Sequence, residues 1–317
     1  GPLAKTDFAV SLPGQPRGVL FVDYRLSWEG GEYFGRTTLG ILPDRKASGT
    51  LASSPFGMSS LIATPERYPD QCDFATVSAL QERIGVRWLR TSPFTLKETY
   101  TAEDDQRAHQ RIDVLASRGI LPHVHPGSSV PKEGEEETFR KAFKAALQRF
   151  SWTGPYWEVG NEYNLGVASA PDYINRMLRP IHEVTREVFP QGKVMCAGLG
   201  GVHKPWFPDF VKAGGLEACD VLSIHPGCHP RAPEFWEGFT GWVFRPQMLE
   251  AMRTAAEHGN KEVWVTEAYA PTSPGRKYVD LRTSADYLVR TYACCLALGV
   301  RVVEWYTFQD GTWFSQR

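Results

Sequence analysis

Eight short runs of strand-forming residues, separated by stretches with apolar residues three and four apart, restrict this chain to one kind of architecture. The runs fall at 56–59, 86–90, 121–124, 156–159, 194–197, 221–224, 263–265 and 302–306. Between them, Phe139, Phe143, Leu147 and Phe150 share one helical face, as do Leu288, Val289, Tyr292 and Leu296. Strands alternating with helices pair in parallel through right-handed crossovers, and eight such strands close on themselves. The expected fold is therefore α/β, a (β/α)8 TIM barrel over residues 55–317. Too few residues follow the eighth run for an eighth helix, so the barrel is expected to lack its last one.

Residues 1–50 have a different character. Two β-rich segments, 18–26 and 33–39, flank Trp28-Glu29-Gly30-Gly31-Glu32, which has the chemistry of a hairpin turn. Two or three strands do not make a stable sheet alone, so this region reads as an extension of the barrel or part of a β-sandwich.

Composition removes several function classes. With 317 residues, 42% of them hydrophobic and 22% charged, and a net charge of −1, the chain can bury one large barrel and a small appendage. It lacks the basic clusters that track a phosphate backbone and any apolar run of membrane-spanning length, so neither nucleic acid nor membrane is an expected partner. Gly1-Pro2-Leu3 has the look of a protease-cleavage remnant, which leaves room for a removed leader; a secreted or periplasmic location is the expectation. The six cysteines show no CxxC and no zinc-finger spacing, and adjacent Cys294 and Cys295 read as small buried hydrophobes. Nothing in the sequence specifies an oligomeric state.

Catalytic groups in such barrels come from the C-terminal ends of the strands. Here those ends carry Arg90, His123, His125, Asn161, Glu162, His203, His225, His229, Glu267 and Trp305. Glu162 closes the fourth run and Glu267 follows the seventh. Two carboxyl groups delivered by different strands are what glycosidic-bond hydrolysis requires: one attacks the anomeric carbon and one protonates the leaving oxygen. Arg90 beside Glu267 would favour its charged form. Glu158 sits inside the same run as Glu162 and reads as a buried partner for a cation, so Arg90 is shared between two candidate acids. Asn161 can donate and accept, which suits a hydroxyl on the substrate.

Trp157-Glu158-Val159-Gly160-Asn161-Glu162-Tyr163-Asn164 and Val263-Trp264-Val265-Thr266-Glu267 resemble the strand-four and strand-seven motifs of clan A retaining glycoside hydrolases. The first is most similar to the form found in glycoside hydrolase family 39, the group of β-xylosidases and α-L-iduronidases, and its bacterial exopolysaccharide-hydrolase relatives. The resemblance implies Glu162 as acid/base, Glu267 as nucleophile, Asn161 as donor to the sugar 2-hydroxyl and Trp305 in the floor beneath the reacting sugar. Many clan members place a Tyr after the sixth strand, where this chain has His225-Pro226-Gly227-Cys228-His229.

The expected partner is a carbohydrate substrate, an oligo- or polysaccharide, with no cofactor and no metal. His123, His125, His225 and His229 are candidate contacts to sugar hydroxyls. Trp206, Phe235, Trp236, Trp242, Tyr269 and Trp313 lie in loops after strands, where flat rings stack on sugar C–H faces. Two alternatives stay open: a metal-dependent barrel hydrolase using His123, His125, His225 and Asp310, and a carbohydrate-binding protein without turnover.

Overall fold

The computed structural model describes residues 11, 18–41, 53–59, 73–202, 205–227, 230–235, 243–272 and 278–308. Of the residues singled out above, His203, Cys228, His229, Trp236, Trp242, Asp310 and Trp313 lie outside them. The chain divides into two compact units, Gly1–Ser48 and Gly49–Arg317.

The first unit is a hairpin. Strands β1 (Gly18–Trp28) and β2 (Gly31–Ile41) pair antiparallel, with Trp28 opposite Gly31. The turn between them needs Gly30, whose φ of 98° lies where other residues are strained. Phe21, Trp28, Tyr33 and Phe34 are exposed on its surface.

In the second unit the order is β3 (Phe56–Ser59), α1 (Phe74–Ile84), β4 (Trp88–Thr91), α2 (Ala102–Ser117), β5 (Leu121–Val124), α3 (Glu136–Phe150) and β6 (Tyr156–Asn161). Next come α4 (Ala170–Tyr173), a π-helical turn Ile174–Leu178, α5 (Arg179–Val188), β7 (Lys193–Gly198), α6 (Trp206–Lys212) and β8 (Val221–Ile224). The unit closes with α7 (Phe244–Glu257), β9 (Glu262–Ala268), α8 (Leu281–Ala297) and β10 (Val302–Tyr306). The strands β3 to β10 form a closed barrel in which β10 pairs with β3, and every pair is parallel. The fold is the expected TIM barrel. Observed strands are longer than expected at β6, β7 and β9, the first two because Asn161 stays in the ladder opposite Gly198.

Local chemistry sets the helix limits. Asp73 caps α1 by accepting from Thr76 N at 2.9 Å, and Asp280 caps α8 by accepting from Thr283 N at 2.8 Å. Thr101 and Asp104 form a capping box at the start of α2.

Alternation along the strands sorts side chains into an outer and an inner set. Leu89, Val124, Trp157, Cys196, Leu222, Val265 and Val303 face outward and join Ile112, Leu115, Phe143, Leu147 and Phe150 of the helices in the main core. Inside the barrel, the N-terminal end is plugged by Trp88, Met195, Val221, Trp264 and Val302, with Leu121 and Tyr156 packed against them. Trp264 meets Trp88 edge-on at 4.9 Å and Tyr156 at 4.5 Å between ring centroids.

Two residues further along the same strands the interior turns polar. Arg90, His123, Glu158, Ser223, Thr266 and Glu304 are all buried there. The barrel interior therefore has an apolar floor and a charged storey above it, and the candidate site stands on the second.

Truncating the floor should destabilise the chain. Trp264→Ala removes a fully buried indole, and we expect a loss of about 3–5 kcal/mol in urea denaturation. A loss under about 1 kcal/mol would mean that the floor is dispensable.

Candidate active site

Arg90 rises from β4 into the interior and uses its planar fork three ways. Nε donates to Glu158 Oε2, Nη1 to Glu267 Oε1 at 2.5 Å, and Nη2 to Asn161 Oδ1 at 2.7 Å. The guanidinium thus serves both acids between which the sequence left it divided. Because it carries only donors, the amide oxygen of Asn161 must face it, and the Asn161 NH2 is turned elsewhere as a donor.

Glu158 has no exposed surface and is saturated with donors. Ser223 Oγ lies 2.6 Å and Thr266 Oγ1 2.8 Å from its Oε1, while Arg90 binds Oε2. Burial alone would raise its pKa; Arg90 first, then His123, His125 and His225, more than offset this and hold the carboxyl well below its usual range. His123 is equally buried, with Nδ1 2.9 Å from Glu304 Oε2 and Nε2 3.7 Å from Glu158 Oε2. Burial pushes the Glu304 carboxyl up, against the pull of His123. His123 belongs to this charged storey and has no surface to offer a substrate.

Glu267 reaches the interior only because its strand breaks alternation, and the backbone around Glu162 leaves the regular strand as well. Thr266 faces inward to Glu158, so a regular strand would send Glu267 outward. Between the partners of Val303 and Trp305, however, β9 holds one residue more than β10, pairing Val265 and then Ala268. This bulge re-aims Glu267 onto Arg90. At the other strand Gly160 has φ 99°, and a Cβ there would collide with the Tyr163 ring. Glu162 follows with φ 51°, a left-handed backbone costing about 1–3 kcal/mol in a residue other than Gly. Its neighbours hold it there: Glu162 N donates to Gly198 O at 2.9 Å, and Asn164 Oδ1 accepts from Gly200 N at 2.9 Å.

His225 stands between the two acids. Its Nδ1 is 3.0 Å from Glu162 Oε1 and 3.8 Å from Glu267 Oε2, and its Nε2 is 3.0 Å from Thr266 Oγ1. One ligand atom each from Glu162, His225 and Glu267 lie within 4.8 Å of one another. Among the described residues this is the one group of His, Cys, Asp or Glu convergent enough to hold a metal ion, and His123 and His125 do not join it.

The remaining expected residues scatter. His125 follows β5 with its Nε2 buried and without a hydrogen-bond partner. Tyr269 is half-buried just past β9, and Trp206 opens α6 with Nε1 donating to Ala168 O at 2.8 Å, which makes it loop core. Trp305 is 7% exposed and packs in the outer core, on the opposite face of β10 from Glu304. The aromatic on the inner face is Tyr306, half-buried and close enough to Glu267 and Glu162 that both raise its phenol pKa, after the larger effect of burial. Sequence reading passed over Tyr306, Glu304, Ser223 and Thr266. Alternation from Glu304 would have found Tyr306 had Glu304 been recognised as inward.

No protein-family model matches the chain, and no curated protein matches it. Solved structures do. A glucosidase from Croceicoccus marinus is similar with TM-score 0.65 at 15% identity, over 84% of this chain and 62% of that one. A monomeric beta-xylosidase from Caulobacter crescentus CB15 follows with TM-score 0.61 at 16% identity, over 81% and 60%. A beta-glucosidase from Thermotoga maritima has TM-score 0.54 at 14% identity, over 74% and 76%. At these identities the likeness is one of fold, and the chain spans about three fifths of the length of the first two.

Two expectations follow from the packing. A Cβ on Gly198 would collide with His225 Nε2 and lie 3.0 Å from Glu158 Oε1. Gly198→Ala should therefore destabilise by about 1–3 kcal/mol in urea denaturation, the reverse of the usual gain from removing a glycine. No loss would show that the ring has room to move.

The second concerns acid. Burial first, then Arg90 and His123, push the His125 imidazole down to about 3 from 6.5, against Glu158. Between those values the folded chain keeps the ring neutral while the unfolded chain protonates it, so its contribution is complete above pH 6.5 and is lost as pH falls toward 3. One such proton gives a slope of up to about 1.4 kcal/mol per pH unit. Denaturation midpoints of His125→Asn across this range should show a shallower pH dependence than the parent; equal slopes would exclude His125 as the source.

Proposed function

We propose that the protein is a glycoside hydrolase that cleaves O-glycosidic bonds in an oligo- or polysaccharide with retention, through two carboxylates. The observation that carries this reading is the approach of Glu162 and Glu267 at the C-terminal mouth of the barrel, with carboxylate oxygens within 4.8 Å. Retaining enzymes hold their two carboxyl groups about 5–5.5 Å apart, whereas inverting ones leave about 6.5–9.5 Å for a water. The similar structures are named as glucosidases and a beta-xylosidase, which accords with it.

In this reading Glu267 is the nucleophile. Arg90 donates to its Oε1, which leaves Oε2 to attack the anomeric carbon while the guanidinium balances the charge. Glu162 is the acid/base, protonating the leaving oxygen and then activating water for the second displacement. Asn161, its oxygen fixed by Arg90, offers its NH2 to a sugar hydroxyl, and Tyr306 borders the reacting ring. Arg90 touches the nucleophile and, through Asn161, the hydroxyl donor, so one side chain sets both.

A screen of aryl-glycosides and polysaccharides with product analysis identifies the sugar and tests the class. The two glutamates should then fail differently. Glu162→Ala should slow substrates with poor leaving groups by about 10²–10⁴-fold while sparing activated aryl-glycosides, and azide should rescue it with retained stereochemistry. Glu267→Ala should lose both classes and give an inverted azide product. The opposite stereochemical pattern would reverse the roles. Activity abolished by EDTA and restored by zinc would instead assign Glu162, His225 and Glu267 to a metal.

A further inference from the structure

Hydrogen counting around His225 fixes more than the position of its ring. Ser223 Oγ and Thr266 Oγ1 are 2.6 and 2.8 Å from Glu158 Oε1 and 2.5 Å from each other. Glu158 is a buried carboxylate with lone pairs only, and each hydroxyl carries one hydrogen, so two hydrogens serve three close oxygen contacts. Either both hydroxyls donate to Glu158, or one donates to the other, which in turn donates to Glu158. Each of these arrangements leaves Thr266 Oγ1 facing His225 Nε2 with a lone pair. Were Thr266 to donate outward to Nε2, a single hydrogen would remain for three mutually close, fully buried oxygens, which forfeits a charge-assisted bond to a buried anion.

His225 Nε2 must then carry hydrogen and donate to Thr266 across 3.0 Å. In a neutral imidazole that is the one N–H, so Nδ1, 3.0 Å from Glu162 Oε1, is an acceptor. A hydrogen on the Glu162 carboxyl would then be donated to that ring nitrogen. The space that admits this ring is the missing Cβ of Gly198, directly against Nε2.

We propose that Glu158 is a positioning residue which, through Thr266, fixes the hydrogen of His225 on Nε2 and so directs the bare Nδ1 at the acid/base proton of Glu162. The hydrogen-bond polarity stands on geometry alone; its use in acid/base transfer rests on the glycosidase reading. In the first displacement the bond from Glu267 to the anomeric carbon forms, the glycosidic C–O bond breaks, and the Glu162 proton passes to the leaving oxygen. Lone pairs of Glu162 and Nδ1 then face each other, which favours recovery of a proton from the attacking water in the second step. The buried acid below the site acts on chemistry it never touches.

The test is nitrogen NMR of histidine-labelled protein, with His225 assigned by the signals lost in His225→Gln. The wild-type ring should show a protonated Nε2. In Glu158→Gln the amide NH2 can supply the hydroxyls, which frees the Thr266 hydrogen to turn to the ring, so Nε2 should become bare and Nδ1 protonated. Thr266→Val should abolish the Nε2 preference and Thr266→Ser should recover it; this pair decides the matter even if Glu158→Gln does not fold. Turnover of poor-leaving-group glycosides should fall at least about ten-fold in Glu158→Gln and Thr266→Val, with activated aryl-glycosides much less affected and Thr266→Ser restored. A bare Nε2 in the wild type, or a Thr266→Val ring indistinguishable from it, overturns the proposal. The expected tautomers in a protein that hydrolyses no glycoside would uphold the polarity and sink the functional reading.

Discussion

The buried pair of Arg90 and Glu158 is the interaction from which the polar interior is built. Breaking such a pair by removing one member costs about 3–5 kcal/mol, because the other is left charged, buried and unpaired. Arginine suits this position because its donors point in fixed directions: one toward Glu158, one toward Glu267 and one toward Asn161. A lysine would supply the charge as a point and lose the three-way geometry. Ser223 and Thr266 complete the donors to Glu158, and Thr266 passes the order on to His225. Each group at the mouth is therefore oriented by one beneath it.

Much of the architecture was legible because strand and helix periods differ and alternate cleanly. The runs at 56–59, 121–124, 221–224 and 302–306 coincide with β3, β5, β8 and β10 as observed. Glu162 and Glu267 were legible for another reason, since a carboxylate following an apolar run at a barrel mouth has few structural uses. Trp305 shows where reading failed. Two adjacent aromatics close β10, and choosing the one on the inner face requires knowing that Glu304 is inward, a fact set by His123 on a distant strand. Ser223 and Thr266 were invisible in the same way, because a buried hydroxyl announces nothing until its partner is placed.

Both glutamates sit where the backbone departs from the regular strand. Glu162 holds a left-handed φ and Glu267 lies within a bulge, whereas the residues that support them, Glu158 and Thr266, face inward as alternation requires. The support is regular and the two carboxylates at the mouth are exceptions to it. This division accords with strain being confined to positions that the surroundings over-determine, here by Asn164 and Gly198 around Glu162.

The aromatic plug of Trp88, Tyr156 and Trp264 has a consequence for traffic. Among the described residues it fills the N-terminal end of the barrel, so the charged storey meets solvent at the C-terminal mouth. Water for the second half of a reaction, protons exchanged with bulk and departing product would share one doorway. Such a vessel, sealed at the base, is emptied only by the route through which it is filled, and a ligand occupying the mouth would isolate the chemistry beneath it from the bulk phase.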